Sequence, residues 1–208
     1  MIGIIDYGMG NLRSVQKALE RLGARAEIIS NPCQLLDYSS VILPGVGAFR
    51  DAIHELHKQD FVTPIQDYTQ SGKSLLGICL GMQLLFDRSF EDGDYEGLGI
   101  IKGDVVRFEP EPDLKIPHMG WNSLEFAANG HPLLNGLQAG SYVYFVHSYY
   151  VRPASPAVIT AQTRHGSQKF VSMVNQSNVY ATQFHPEKSQ QVGLRILKNF
   201  VEPTLLPT

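Results

Sequence analysis

Cysteine, histidine and glutamate occur in this chain where a nucleophile, a base and an orienting acid could meet. The pentapeptide Gly77-Ile78-Cys79-Leu80-Gly81 ends the apolar run Leu75-Leu76-Gly77-Ile78 and precedes the helix-like run Met82-Gln83-Leu84-Leu85-Phe86. A strand, a sharp turn and a helix, with cysteine at the turn, make the thiol version of a nucleophile elbow. So tight a turn crowds its neighbours, which explains the small residues at 77 and 81. The turn lifts the Cys79 sulfur above the sheet edge, toward the free N–H groups and positive end of the helix, an environment in which cysteines act as nucleophiles. The Leu80 N–H is then placed to hold a negatively charged oxygen. Taken alone, the pattern also fits a buried cysteine in a core strand, the usual situation of a free cysteine.

Two further features supply partners for such a thiol. His185-Pro186-Glu187 directly follows the strand-like run Val179–Phe184. In an extended chain residues two apart point the same way, so Glu187 can orient the His185 imidazole as the acid of a triad does. Cys79 and His185 are far apart in sequence, but strand ends converge at one edge of an α/β sheet. Pro44-Gly45-Val46-Gly47 follows the buried run Val41-Ile42-Leu43. A glycine loop after a strand exposes backbone N–H groups, which suits an oxyanion or a carboxylate. Each feature alone has a plain reading, a surface His-x-Glu pair or an ordinary strand-to-helix connection. Together they describe acyl transfer through a thioester.

The elements that must position these groups are legible in the periodicity. Met1–Ile5 reads as a buried strand of a parallel sheet, and Asn11 as the cap of a helix carrying Leu12, Val15, Leu19 and Leu22 on one face and ending at Gly23. Ala24–Ile29 and Val41–Leu43 read as strands, Phe49–Gln59 and Phe61–Gln70 as helices, and Asp87–Gly97 as a polar, glycine-rich loop. Asp104–Phe108 reads as a strand and Tyr142–Tyr150 as one aromatic, β-branched strand. Val158–Thr163, Phe170–Val174 and Val179–Phe184 read as a meander and Gln191–Val201 as an amphipathic helix. The fold class expected is α/β, flavodoxin-like, with a mixed, mostly parallel sheet, helices on both faces and a late antiparallel meander, in one domain over residues 1–208.

Composition narrows the function classes. The 208 residues carry a net charge of −3, which offers no electrostatic footprint for nucleic acid or a membrane surface. Two cysteines, Cys33 and Cys79, are too few for a disulfide framework and make a reducing cytoplasm the default compartment. The longest apolar run, around residues 74–86, is too short and too interrupted by glycine to span a bilayer. His54-Glu55-Leu56-His57 is one residue short of the zinc-helix spacing, so no metal is expected there. Gly8 and Gly10 lack the third glycine of a dinucleotide loop, because position 13 is Arg, and no cofactor is called for.

The sequence resembles the class I, triad-type glutamine amidotransferases, and within them is similar to the glutaminase subunits of imidazole glycerol phosphate synthases. The resemblance runs from Ile4-Ile5-Asp6-Tyr7-Gly8-Met9-Gly10-Asn11 to Gln183-Phe184-His185-Pro186-Glu187-Lys188-Ser189. It includes Leu43–Phe49, Gly77–Gln83, Pro117-His118-Met119-Gly120-Trp121-Asn122 and Tyr144–Tyr149. It implies that Cys79 attacks the side-chain amide of L-glutamine, with His185 as proton carrier and Glu187 as its orienting acid. It implies an oxyanion hole of the Val46 and Leu80 N–H groups, and glutamine binding by Gly45, Gly47, Gln83, His147, Ser148 and Tyr149. It also implies a heterodimer in which Asn11, His118, Met119, Trp121, Asn122 and Lys188 face a (β/α)₈-barrel cyclase. That partner receives the ammonia and makes imidazole glycerol phosphate and an aminoimidazole carboxamide ribotide in histidine biosynthesis. Two departures, Arg164-His165-Gly166 where a Tyr-Gly pair is expected and Ala181 in place of glycine, leave the triad alone. They bear on coupling to the partner, or mark a paralogue supplying ammonia to an amidino-sugar pathway. A cysteine hydrolase of another amide, a non-catalytic subunit and a flavodoxin-like binding module are the rivals from other classes. The Pro117–Asn122 stretch, the intact Cys79–His185–Glu187 set and the incomplete glycine fingerprint argue against them in turn.

Overall fold

Strands whose side chains are apolar on both faces need a layer of helices on each side. The computed structural model describes residues 1–127 and 131–202. It begins with β1 (Ile2–Ile5), α1 (Leu12–Arg21), β2 (Ala26–Ile29), β3 (Ser40–Gly45), α2 (Phe49–Lys58), α3 (Val62–Gln70), β4 (Ser74–Cys79) and α4 (Leu80–Leu84). Short strands follow: β5 (Phe86–Ser89), β6 (Tyr95–Glu96), β7 (Ile101–Arg107), β8 (His118–Ser123) and β9 (Glu125–Phe126). The chain closes with β10 (Tyr142–His147), β11 (Tyr149–Pro153), β12 (Ile159–His165), β13 (Gln168–Gln176), β14 (Val179–Thr182) and α5 (Gln190–Val201). The main sheet has the order β2-β1-β3-β4-β14-β13-β12-β9, parallel from β2 through β14 and antiparallel beyond. Two small antiparallel or mixed sheets, β10-β8 and β11-β7-β5-β6, pack beside it.

Alternation along the strands decides which helices cover which face. Val41, Leu43 and Leu75 join Phe49, Leu56, Ile65 and Tyr68 of α2 and α3 in one core. Ile42, Leu76 and Ile78 join Val15, Leu19, Ile196 and Phe200 of α1 and α5 in the other. Full burial of one such aliphatic side chain is worth roughly 1.5–3 kcal/mol, against about 0–1 kcal/mol for an exposed ion pair. The two cores therefore hold the sheet, and surface pairs such as Lys58–Glu55 are secondary. The parallel pairing of β14 with β4, with Ala181 opposite Gly77 and Thr182 opposite Ile78, is the feature that matters most for chemistry. It brings the residues just past β14 beside the C-terminal end of β4.

Several expectations change on inspection. Asn11 occupies the N-cap position of α1, but its side chain makes no capping hydrogen bond. The segment 87–97 is not all loop. β5 runs alongside β7, with Arg88 opposite Asp104, and pairs with β6. The stretch 142–150 is two strands, because the chain leaves β8 after His147 and joins β7 at Tyr149. The helix after the elbow stops at Leu84 rather than continuing to Phe86.

Candidate functional site

The strand-to-helix turn at Cys79 is as tight as its sequence requires. Cys79 has φ 55° and ψ −110°, a conformation disfavoured for a side chain and held only where the surroundings over-determine it. Those surroundings are glycines. A Cβ on Gly81 would lie 1.9 Å from the Leu43 carbonyl oxygen, one on Gly77 would lie 2.8 Å from that of Gly81, and one on Gly45 would lie 2.8 Å from the Gly81 nitrogen. β3, β4 and α4 thus meet at van der Waals distance with no room for methyl groups. Leu80 is the first residue of α4, so its N–H has no partner within the helix. α4 has only five residues, and what it offers is the N–H groups of one turn rather than a long helix dipole.

His185 stands where the β14–β4 register places it, buried at 2% exposure. Its Nδ1 lies 2.8 Å from Glu187 Oε1, and the Glu187 side chain is 1% exposed. The pair forms across the short turn Pro186–Lys188, and the Ser189 hydroxyl donates to the His185 carbonyl at 2.7 Å. Nε2 is buried and makes no hydrogen bond of ordinary geometry. Burial works against a charge on this ring, but the Cys79 sulfur and Glu187 outweigh it and push the His185 pKa up to about 10. The imidazole thus stands between a sulfur and a carboxylate, an arrangement chemically able to carry a proton. Cys79, Leu80 and His185 share a cavity of about 300 Å³ with Val46, Gly47, Gln83, Ser148 and Tyr149. That volume is at the small end for ligand sites and suits a single amino acid.

The remaining predicted residues fall into different places. Gly45 does not line the cavity and serves the close contact with Gly81. The Val46 N–H donates to the Met9 carbonyl at 3.1 Å, so it is turned away from the cavity in this structure, against the expected oxyanion role. Gln83 is buried with its amide nitrogen donating to the Tyr149 carbonyl at 2.9 Å and to Gln183 Oε1 at 3.1 Å. His147 reaches the cavity wall, but both ring nitrogens are engaged inside the protein, with His118 Nδ1 at 3.1 Å and the Tyr149 carbonyl at 2.8 Å. Burial, with the neighbouring histidine rings, holds the His147 pKa at about 3. Of the expected partner-facing residues, Met119 and Trp121 are exposed at 63% and 46%, and Asn11 and Lys188 are exposed as well. His118 is not. Its ring is buried between Phe145 and His165, and burial followed by His165 lowers its pKa to about 4. Asn122 is half-buried.

Four residues of the site escaped the sequence: Pro117 and Val146, which line the cavity, and Glu91 and Gln183. Glu91 lines the cavity and accepts the Phe49 N–H at 2.7 Å; burial, chiefly, raises its pKa. It lies in the segment whose composition suggested only a loop, and nothing in its neighbours marks it. Gln183, fully buried, donates to the Cys79 sulfur at 3.8 Å. The parallel register of β14 on β4 would have found it, since Gln183 follows Thr182 as Cys79 follows Ile78. The departures lie outside the cavity: Ala181 is buried beside Gly77, and Gly166, with φ 62°, turns the β12–β13 hairpin. No helix among the described residues is long and apolar enough to cross a membrane.

With this geometry in place, similarity to known proteins carries weight. The family model "Glutamine amidotransferase class-I" matches residues 3–203. The chain is 53% identical over 200 residues to the imidazole glycerol phosphate synthase subunit HisH of Rhodopirellula baltica, covering 96% of each chain. It is 53% identical over 205 residues to the same-named subunit of Syntrophotalea carbinolica, covering 96% of this chain and 98% of the relative. Among solved structures it is similar to PurLQS from Thermotoga maritima, with a TM-score of 0.76, 20% identity and 97% of each chain covered. A crystal structure of a glutamine amidotransferase matches with a TM-score of 0.74, 22% identity and 97% of each chain covered. At these identities the last two speak for the fold.

Proposed function

The chain belongs to the class-I glutamine amidotransferase family, alongside the HisH subunits of imidazole glycerol phosphate synthases, and we propose that it hydrolyses glutamine through Cys79 and passes the ammonia to a cyclase subunit. The observation that carries this reading is the parallel β4–β14 register, which sets the elbow cysteine and the His185–Glu187 pair over one small cavity. The Cys79 sulfur attacks the side-chain carbonyl of glutamine and its proton passes to His185. The tetrahedral oxyanion accepts the Leu80 N–H. His185 returns the proton to the leaving nitrogen, the C–N bond breaks and ammonia departs, leaving a glutamyl thioester. Water, deprotonated by His185, attacks the thioester carbonyl; the C–S bond breaks, glutamate leaves and the thiol is restored. Glu187 keeps the ring in the tautomer that both steps need. Glu91, a carboxylate in the cavity wall, offers a counter-charge for the α-ammonium of the substrate.

A second oxyanion donor is available only if the Val46 amide leaves the Met9 carbonyl and turns into the cavity. Gly47, with φ 101°, gives the loop the conformational latitude for that rotation. We infer that a partner supplies the bias. Its seat is the β8–β10 ribbon, where Met119, Trp121 and Tyr142 present exposed apolar surface. A (β/α)₈-barrel cyclase that consumes ammonia to make imidazole glycerol phosphate is the partner that the relationship to the HisH subunits favours.

The test is glutamate release from glutamine by the chain alone, with a barrel cyclase subunit, and with that subunit carrying its carboxamide ligand. A low rate alone that rises strongly with the loaded cyclase is expected. A substantial rate alone that ignores the cyclase would overturn the proposed partner and the gating of Val46 together.

A further inference from the structure

A continuous series of hydrogen bonds joins β8 at the surface to the Cys79 sulfur, and backbone carbonyls fix the direction of each. A carbonyl oxygen can only accept. His147 Nδ1 lies 2.8 Å from the Tyr149 carbonyl, so it carries the proton, and in the neutral ring Nε2 is left as an acceptor. His118 Nδ1, 3.1 Å from that nitrogen, must donate, which makes His118 Nε2 an acceptor in turn. Facing it at 3.1 Å is the Asn122 side-chain nitrogen. The far end provides an independent check. The same Asn122 nitrogen lies 2.7 Å from the Arg164 carbonyl, so it is a donor by necessity, and the polarity deduced from Tyr149 outward agrees.

The inward branch obeys the same logic. Gln83 donates to the Tyr149 carbonyl at 2.9 Å and to Gln183 Oε1 at 3.1 Å. Gln183 therefore turns its nitrogen to the sulfur, 3.8 Å away. His118, His147, Gln83 and Gln183 are all buried, where an unmatched donor or acceptor is costly. An added proton on either ring would set N–H against N–H somewhere in the series. Networks of this kind have one low-energy arrangement and hold their members to it.

The series grips the place where the backbone changes sheets. His147 ends β10, opposite His118 on β8; Tyr149 begins β11; Ser148 between them lines the cavity. We propose that His118, His147 and Gln183 are positioning residues for the Cys79 thiol and the Ser148–Tyr149 backbone, with Asn122 supplying the matching outer donor to His118 from the half-buried edge of β8. This rests on the reading of Cys79 as the nucleophile. It gives Pro117–Asn122 a second task besides presenting Met119 and Trp121: the same strand that faces outward through those side chains reaches the sulfur through His118 and Asn122.

Two measurements on the full chain test it. Nitrogen-15 NMR of histidine-labelled protein near pH 7 reports tautomers directly. Both His118 and His147 are expected as neutral Nδ1–H rings; finding His118 as the Nε2–H form or as imidazolium would overturn the relay. The second measurement is the rate of iodoacetamide labelling at Cys79, with exposed Cys33 as internal reference. His118→Phe keeps a ring but no nitrogen, and Asn122→Leu removes the outer donor at a half-buried position, with melting curves of both variants checking that they fold. Each is expected to change the Cys79 rate by about tenfold, the equivalent of one unmatched buried hydrogen bond. His118→Asn, whose amide nitrogen can stand in for Nδ1, is expected to recover most of it. Rates within twofold of the parent in both His118→Phe and Asn122→Leu would sink the proposal. If tautomers and labelling behave as expected and no glutamine is consumed under any condition, the functional reading fails and the relay stands.

Discussion

On one wall of the cavity the backbone has no freedom left; on the other, the amide that should complete the site is bonded elsewhere. Cys79 is held at a disfavoured φ by the contact of Gly81 with the Leu43 carbonyl, by Gly77 and by Gly45. His185 is fixed from below by Glu187 and Ser189. Opposite them, the Val46 N–H donates to Met9, across a loop whose Gly47 has positive φ. On the proposed reading, the nucleophile is already assembled in the isolated chain while one of its two oxyanion donors is engaged elsewhere, an arrangement suited to tying hydrolysis to a partner's demand.

The largest effect expected on this contrast comes from the rigid wall. Cys79→Ala is expected to abolish glutamate release, a loss of roughly 10⁴-fold or more, with the circular dichroism spectrum of the folded chain retained. Glu187→Gln comes next, with a loss of roughly 10²–10⁴-fold in kcat, because an amide lacks the carboxylate's charge and can turn its nitrogen to His185 Nδ1, holding the ring in the other tautomer. That variant also carries a pH signature. Burial opposes a charge on His185, but Cys79 and Glu187 raise its pKa in the folded chain to about 10. A raised folded-state pKa contributes stability that is fully present below the unfolded histidine value of about 6.5 and is lost as pH rises through about 10. Denaturant midpoints of the parent and Glu187→Gln should therefore differ most below about pH 6.5 and converge toward about pH 10.

The opposite wall responds differently. Val46→Pro deletes the amide proposed to turn inward, and is expected to lower the ratio of partner-stimulated to unstimulated glutaminase by roughly 10²–10³-fold. An unchanged ratio would show that Val46 supplies no oxyanion donor. The smallest effects separate packing from backbone freedom. Gly81→Ala forces a methyl group into the Leu43 carbonyl and should destabilise the chain by about 3 kcal/mol or more, whereas Gly23→Ala, with φ 78° and open space around its Cβ, should cost only about 1 kcal/mol. Chemical denaturation of the two variants measures both, and equal values would mean that the elbow is looser than its distances indicate.

The sequence displayed the rigid wall and, of the opposite one, the glycine loop but not the Met9 carbonyl that engages Val46, for a physical reason. A glycine two residues either side of Cys79 and an acid two residues beyond His185 are local requirements of a tight turn and of an oriented imidazole, so they are written in short motifs. The apolar runs Ile2–Ile5, Val41–Leu43 and Leu75–Ile78 are equally local, being strands buried on both sides. What depends on distant pairing was not legible. Arg88 and Tyr95 sit in strands only because β5 lies alongside β7 and pairs with β6, and their polar, glycine-rich surroundings resemble a loop. The break at Ser148 follows from a change of neighbours, β8 to β7, that no residue in 142–150 announces. The inward ring of His118 and the outward amide of Val46 are matters of which partner a polar group finds, and a sequence lists the groups without the partners.

The exposed ribbon of Met119, Trp121 and Tyr142 also governs the life of the chain before any catalysis. Aromatic and thioether groups gathered on one uncovered face promote self-association in a crowded solution. A molecule made in excess of whatever covers that face is thus marked for holding by chaperones and clearance by proteases. On the proposed reading, synthesis matched to the partner is a requirement set by one two-stranded ribbon rather than by the active site.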